Sequence, residues 1–119
     1  VGVISNRATE MKSAFNGLTD AFGINQYEGQ VYRGNPQSQT WKAQVYDEGY
    51  KGFKSGSTIR IEYEIDASTL KFYTKTGWIG ETEIYSIALP QTTAISYWFP
   101  CVSLNDENDE CRLHDVVVK

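Results

Sequence analysis

Three carboxylates, Glu62, Glu64 and Asp66, stand at alternate positions, so an extended strand would turn all of them to one face. Two carboxyl groups a few ångström apart are what glycoside hydrolysis uses as acid and nucleophile. The neighbouring residues favour a plainer reading. Ile59, Ile61, Tyr63 and Ile65 alternate with Arg60, Glu62, Glu64 and Asp66, as on any strand with one buried face and one wet face. The acidic run Asp106-Glu107-Asn108-Asp109-Glu110 gathers oxygen atoms but lacks the ligand spacing and the glycine of a calcium loop. It reads as a solvated hairpin tip, or as negative charge offered to a basic partner. His114 is the single histidine and has no Ser or Cys at a telling spacing, so neither a triad nor a zinc site follows. With no Gly-rich phosphate loop either, the chain reads as a non-enzyme without metal or cofactor.

Binding is the better use of the aromatic residues. Trp41 and Trp78 are each flanked by polar residues or glycine, whereas Trp98 lies in an aromatic stretch and is expected in the core. Exposed aromatic rings serve binding because they remove much area from water and lose little rotamer entropy. Packing at a sheet edge is the competing reading for Trp41 and Trp78, since Trp is highly buried on average. Cys101 and Cys111 belong to no C-x-x-C pattern. A bridge across a hairpin ladder is geometrically possible for them, and two reduced, buried thiols is the preferred reading.

The elements that must position these residues are strands. Composition bounds the chain first: 119 residues with 40% hydrophobic and 22% charged content suit one domain with a core of its own, not a disordered tail. The net charge of −4 and the lack of any basic cluster argue against a nucleic-acid partner. No apolar run has the length of a membrane span and the N-terminus is no signal peptide. The expected setting is intracellular, in the cytoplasm. A strand that begins at Val1 suggests a fragment of a longer chain.

Gly56 to Tyr73 is the clearest element, a hairpin whose strands turn through Asp66-Ala67-Ser68-Thr69 and whose core face holds Ile59, Ile61, Tyr63, Ile65, Leu70 and Phe72. Val1 to Ser5, Ala21 to Ile24 and Gln30 to Tyr32 read as short strands, the last two around the turn-prone Glu28-Gly29. Asn6 to Thr19 reads as a surface loop, and Gly34 to Gln39 as another. Between Thr40 and Lys54, Gly49 and Gly52 break any long element, with Trp41, Tyr46, Tyr50 and Phe53 divided between core and surface. A segment with Ile84, Tyr85, Ile87 and Leu89 follows the turn at Thr76-Gly77. Pro90 to Thr93 is a loop. Ser96 to Leu104 reads as a central strand edged by Pro100, and Cys111 to Val118 as the last one. Many short strands with frequent turns and little helix amount to an all-β fold, an antiparallel β-sandwich or jelly roll.

The order of these features resembles the SPRY domain, a bent antiparallel sandwich of the concanavalin-like type. The likeness rests on Val1-Gly2-Val3, Phe22-Gly23-Ile24, Tyr32, Gly56-Ser57-Thr58-Ile59, Glu64-Ile65-Asp66, Thr69-Leu70-Lys71-Phe72-Tyr73, Lys75-Thr76-Gly77, Gly80 and Phe99-Pro100-Cys101-Val102-Ser103-Leu104. Three features depart from the family: Gly56-Ser57 replaces Gly-Asp, Thr76-Gly77 replaces Asn-Gly, and the aromatic strand before Val-Gly-Val is missing. The resemblance implies a protein-interaction module, often the substrate-reading part of a larger protein, whose loops at one edge hold a protein or peptide ligand. On this chain those loops start at Asn6-Arg7 and at Asn105-Asp106. Members that bind short Asn-containing peptides carry an aromatic residue and glycine where Asn105 and Asp106 stand, so that specificity is not carried over. The expected ligand-binding residues are therefore Asn6, Arg7, Trp41, Trp78, Asn105 and Asp106, with oligomeric state open. The alternative is a carbohydrate-binding, lectin-like domain that stacks a sugar on Trp41 or Trp78.

Overall fold

The alternation that begins at Ile59 forms the first strand of a three-stranded antiparallel sheet. A computed structural model describes residues 1–5, 21–34, 44–75, 80–89, 98–104 and 107–112. They form eight strands in chain order: β1 (Gly2–Ser5), β2 (Ala21–Ile24), β3 (Gln30–Arg33), β4 (Gln44–Tyr46), β5 (Thr58–Glu64), β6 (Thr69–Lys75), β7 (Glu81–Ala88) and β8 (Trp98–Cys101). One sheet runs β4-β3-β2-β1-β8 and the other β5-β6-β7, and every pairing is antiparallel. The protein is an all-β sandwich. Among the described residues no helix is long and apolar enough to cross a membrane.

The core lies where the two sheets meet. Val3, Phe22, Ile24 and Val31 from the larger sheet pack with Leu70, Phe72 and Ile87 from the smaller, joined by Tyr50 and Leu89. Each fully buried aliphatic or aromatic side chain there contributes about 1.5–3 kcal/mol relative to an exposed one. β6, the middle strand, alternates cleanly: Leu70, Phe72 and Thr74 point inward, and Thr69, Lys71 and Tyr73 do not. β2 shows no alternation because all four of its residues are buried. Phe22 and Ile24 face the other sheet, while Ala21 joins Tyr32 in a second cluster with Cys101. A strand covered on both faces loses its polar face and with it the period-two signal.

The hairpin forms with the expected pairing, Ile61 opposite Phe72 and Tyr63 opposite Leu70. Its core face is shorter than the sequence suggests. Ile59 and Ile61 pack against the core, but Tyr63 is 38% exposed and Ile65 75% exposed. β5 is the outer strand of its sheet, and Glu64 pairs with Thr69, so Ile65 falls in the turn and not in the strand. The turn closes through Ser68 N–H donating to the Ile65 carbonyl at 3.2 Å.

A bulge separates the pairs Phe72–Tyr85 and Tyr73–Glu83, leaving Ile84 as the extra residue of β7. Consecutive residues of a regular strand face opposite ways, yet here Ile84 and Tyr85 both pack on the core. The bulge thereby aims Tyr85 at the rim of the sandwich.

Three other expectations change. Where Ser96 to Leu104 was expected as a central strand, β8 covers Trp98 to Cys101 and is the end strand of its sheet among the described residues, and Val102 and Leu104 lie exposed beyond it. Trp98 is only partly buried, with its ring edge-on to Phe22 at 5.5 Å. The two cysteines are free, but Cys101 is half-buried and Cys111 exposed, because neither lies in the sandwich interior. Glu107 to Glu110 form an exposed turn, in keeping with a solvated tip, and Cys111 and Arg112 are not in a strand. The expected loops at 6–19, 35–39 and 90–93, the turn at 76–77, residues 113–118 of the last expected strand and His114 lie outside the described residues.

Candidate functional site

All six residues expected to bind a ligand, Asn6, Arg7, Trp41, Trp78, Asn105 and Asp106, lie outside the described residues. The described residues place a different group together, at the rim where β3 and β4 meet β7.

This rim grows from two turns. Tyr27 to Gln30 close a turn through Gln30 N–H to the Tyr27 carbonyl at 3.2 Å, with Gly29 at φ 77°. A side chain rarely adopts that conformation, and glycine supplies it freely. Gly29 is also a seat: a Cβ there would lie 2.2 Å from Cε2 of Tyr46, so the bare backbone lets the Tyr46 ring lie against it. β4 then runs into the turn Asp47-Glu48-Gly49, where Asp47 Oδ1 accepts the Gly49 N–H at 2.9 Å and the Asp47 carbonyl accepts the Tyr50 N–H at 3.1 Å. An aspartate that binds the backbone two residues on is an ordinary turn device. Tyr50 then drops into the core, fully buried, and its hydroxyl donates to the Asn25 carbonyl.

The turn is joined to the opposite sheet by a polar clasp. Val31, Arg33, Val45 and Asp47 share the face of the larger sheet that looks toward the smaller one. Arg33 Nη2 donates to the Tyr85 hydroxyl, and that hydroxyl donates to Asp47 Oδ2. Arg33 also reaches Asp47 Oδ2 at 3.5 Å, and the Tyr85 ring stands edge-on to Tyr50 at 5.2 Å. Two strands and the turn after β4 thus meet at one carboxylate. The Tyr85 hydroxyl, the Gly49 amide and the Arg33 charge hold the Asp47 carboxyl below its ordinary value. Burial and the bond to Asp47 push the Tyr85 hydroxyl up, and burial does the same for Tyr50. Asp47 is therefore ionised at neutral pH and both tyrosines are neutral donors.

Outside this clasp lies an open hollow of about 540 Å³, lined by Arg33, Val45, Tyr46, Asp47 and Glu48. Tyr46 is 73% exposed and Val45 42% exposed. A hollow of this kind offers a rigid ring, a patch of apolar surface and carboxylates to a ligand.

The carboxylate row of β5 is arranged for a different purpose. Arg60 lies between Glu62 at 2.6 Å and Glu81 at 2.8 Å, with its guanidinium 4.1 Å from the Tyr73 ring centroid, and Lys71 pairs with Glu64 at 2.9 Å. Arg60 holds the Glu62 carboxyl below its ordinary value, the reverse of what a general acid needs. These pairs tie β5, β6 and β7 together across the solvent face. Among the described residues no group of three or more His, Cys, Asp or Glu could hold a metal ion.

Sequence reasoning missed Arg33, Asp47 and Tyr85 because they are separated by long stretches of chain. The available signal was local: the turn formers Asp47-Glu48-Gly49 directly after Val45-Tyr46 mark an aromatic residue displayed at a strand end. Comparison with protein-family models, with curated proteins and with solved structures found no match to the chain.

Proposed function

We propose that this chain is a non-catalytic interaction module that takes a protein or peptide ligand at one edge of its sandwich, as the SPRY domains it resembles in motif order do. The observation that carries the proposal is the exposed Tyr46 ring in an open hollow whose frame is already locked. Tyr46 rests on Gly29, and Asp47 is held by Arg33, Tyr85 and Gly49, so little ordering remains to oppose binding. Exposed tyrosine is a preferred anchor for a partner. In this reading the loops that the resemblance assigns, starting at Asn6-Arg7 and at Asn105-Asp106, are tested separately from this hollow, and the module works inside the cell, where free Cys101 and Cys111 stay reduced.

The test is selection of a random peptide library displayed on phage against the wild-type protein. Peptides should be enriched, and each should bind Tyr46→Ala more weakly while the variant melts at the wild-type temperature. Arg7→Ala and Asp106→Ala, made in parallel, report on the edge loops. No enrichment, or equal binding by Tyr46→Ala, overturns the proposal for this surface. Tyr46 beside two carboxylates also suits stacking of a sugar ring, so a glycan array probed with and without calcium is run beside the selection. A silent array removes the lectin alternative.

A further inference from the structure

We infer that the hollow beside β4 receives a cationic side chain of a peptide ligand, an arginine guanidinium or a lysine ammonium, between the Tyr46 ring and the Glu48 carboxylate. The inference rests on the interaction reading above and narrows it to one chemistry.

Three of the five lining residues are charged: Arg33, Asp47 and Glu48. Arg33 and Asp47 offset each other across 3.5 Å, and the Tyr85 hydroxyl engages both. Arg33 is thus committed to the clasp and is a poor receptor for an incoming anion. Glu48 is different. Its backbone carbonyl accepts from Lys51 Nζ at 3.0 Å, but its carboxylate has no hydrogen-bond or ion-pair partner among the described residues. Among the described residues the Glu48 carboxylate is therefore the one charge lining the hollow that no neighbour offsets.

The rest of the lining suits the stem and head of a long basic side chain. Tyr46 has one side against Gly29 and most of its surface in water. The face of an aromatic ring attracts a cation through its quadrupole. Val45, half exposed on the same short strand, offers apolar surface to the methylene stem. An acidic ligand would meet Asp47, held ionised by its partners, and Glu48 together. The protein as a whole carries a net charge of −4, which favours approach of a basic peptide.

The experiment titrates ¹⁵N-labelled protein with N-acetyl-arginine amide and, separately, with its neutral isostere N-acetyl-citrulline amide. Saturable shifts of the Tyr46, Asp47 and Glu48 amide signals are expected with the arginine compound. The citrulline compound should bind several-fold more weakly. Tyr46→Ala should weaken arginine binding about fivefold, the worth of an exposed cation–π contact. Glu48→Gln should weaken it roughly threefold, and high salt should do the same. Absent shifts at these residues, or equal shifts with citrulline, overturn the inference. The peptide selection separates the two proposals: Tyr46-dependent peptides without arginine or lysine leave the interaction reading standing and sink this one.

Discussion

Replacing Tyr50 by Phe removes a single hydroxyl from the point where the Asp47 turn is fastened to the core. The Tyr50 ring is fully buried, and its hydroxyl is the donor to the Asn25 carbonyl. The phenylalanine ring retains the burial and the edge-on contact with Tyr85, so only the hydrogen bond changes. Its net worth is about 1 kcal/mol, and the Asn25 carbonyl, left without that donor in a partly buried place, adds a similar amount. The expected loss is therefore about 2 kcal/mol. For 119 residues the unfolding entropy is roughly 0.25 kcal/mol/K, which converts the loss to a fall of about 8 °C in Tm. Tyr50→Ala, which also gives up the ring, should cost about 3–5 kcal/mol. Urea melts followed by tryptophan fluorescence and by circular dichroism measure both, with an unchanged m-value as the sign that the unfolded state is the same. A Tyr50→Phe protein as stable as wild type would refute the anchoring role of the hydroxyl. A loss in Tyr50→Phe as large as that in Tyr50→Ala would show that the ring does not carry the packing assigned to it.

Four further outcomes are expected. Because Asp47 has its carboxyl pKa lowered on folding from 3.8, its stabilising effect is complete above that value and is lost as the pH falls through the lower folded value. Acid melts should accordingly show a smaller loss of stability between about pH 5 and 2 for Asp47→Asn than for wild type, and parallel curves would contradict the clasp. Gly29→Ala should cost about 1–2 kcal/mol through its left-handed backbone and should also move the Tyr46 ring, seen as a changed tyrosine signal in NMR spectra. Ile65→Ser should shift stability by no more than about 0.5 kcal/mol, whereas Phe72→Ala should cost about 3–5 kcal/mol, and comparable values for the two would restore Ile65 to the core. Iodoacetamide should label exposed Cys111 before Cys101, whose thiol burial pushes up, and mass spectrometry that finds Cys101 modified first would contradict the placement.

Residue alternation made the smaller sheet readable because a strand sorts its side chains locally, whatever it packs against. Ile59, Ile61, Leu70 and Phe72 declare one face and Arg60, Glu62 and Lys71 the other, and the observed pairing joins them as expected. The same rule failed at Ile65, where the period continues into a turn, and at β2, where burial on both faces erased it. β8 was read as central from its aromatic content, yet its place at the end of the larger sheet among the described residues depends on which strand pairs with β1. Nothing local encodes that choice.

By itself the sequence determined the all-β class, the β5–β6 hairpin, the turn at Glu28-Gly29 and the acidic balance of the chain. These depend on single residues or near neighbours: glycine frees φ, and alternating polarity selects a face. Which aromatic ring packs inside and which one meets water was decided only by the tertiary structure. Tyr46 and Tyr50 stand in similar polar surroundings, yet the first is 73% exposed and the second is fully buried. Gly29 receives the Tyr46 ring from outside, while the Asp47 turn sends Tyr50 between the sheets. The clasp of Arg33, Asp47 and Tyr85 likewise needed chain separations of 14, 38 and 52 residues to be closed by folding. A sequence pattern reports what lies beside a residue along the chain, and a site like this one is made of residues that only packing brings together.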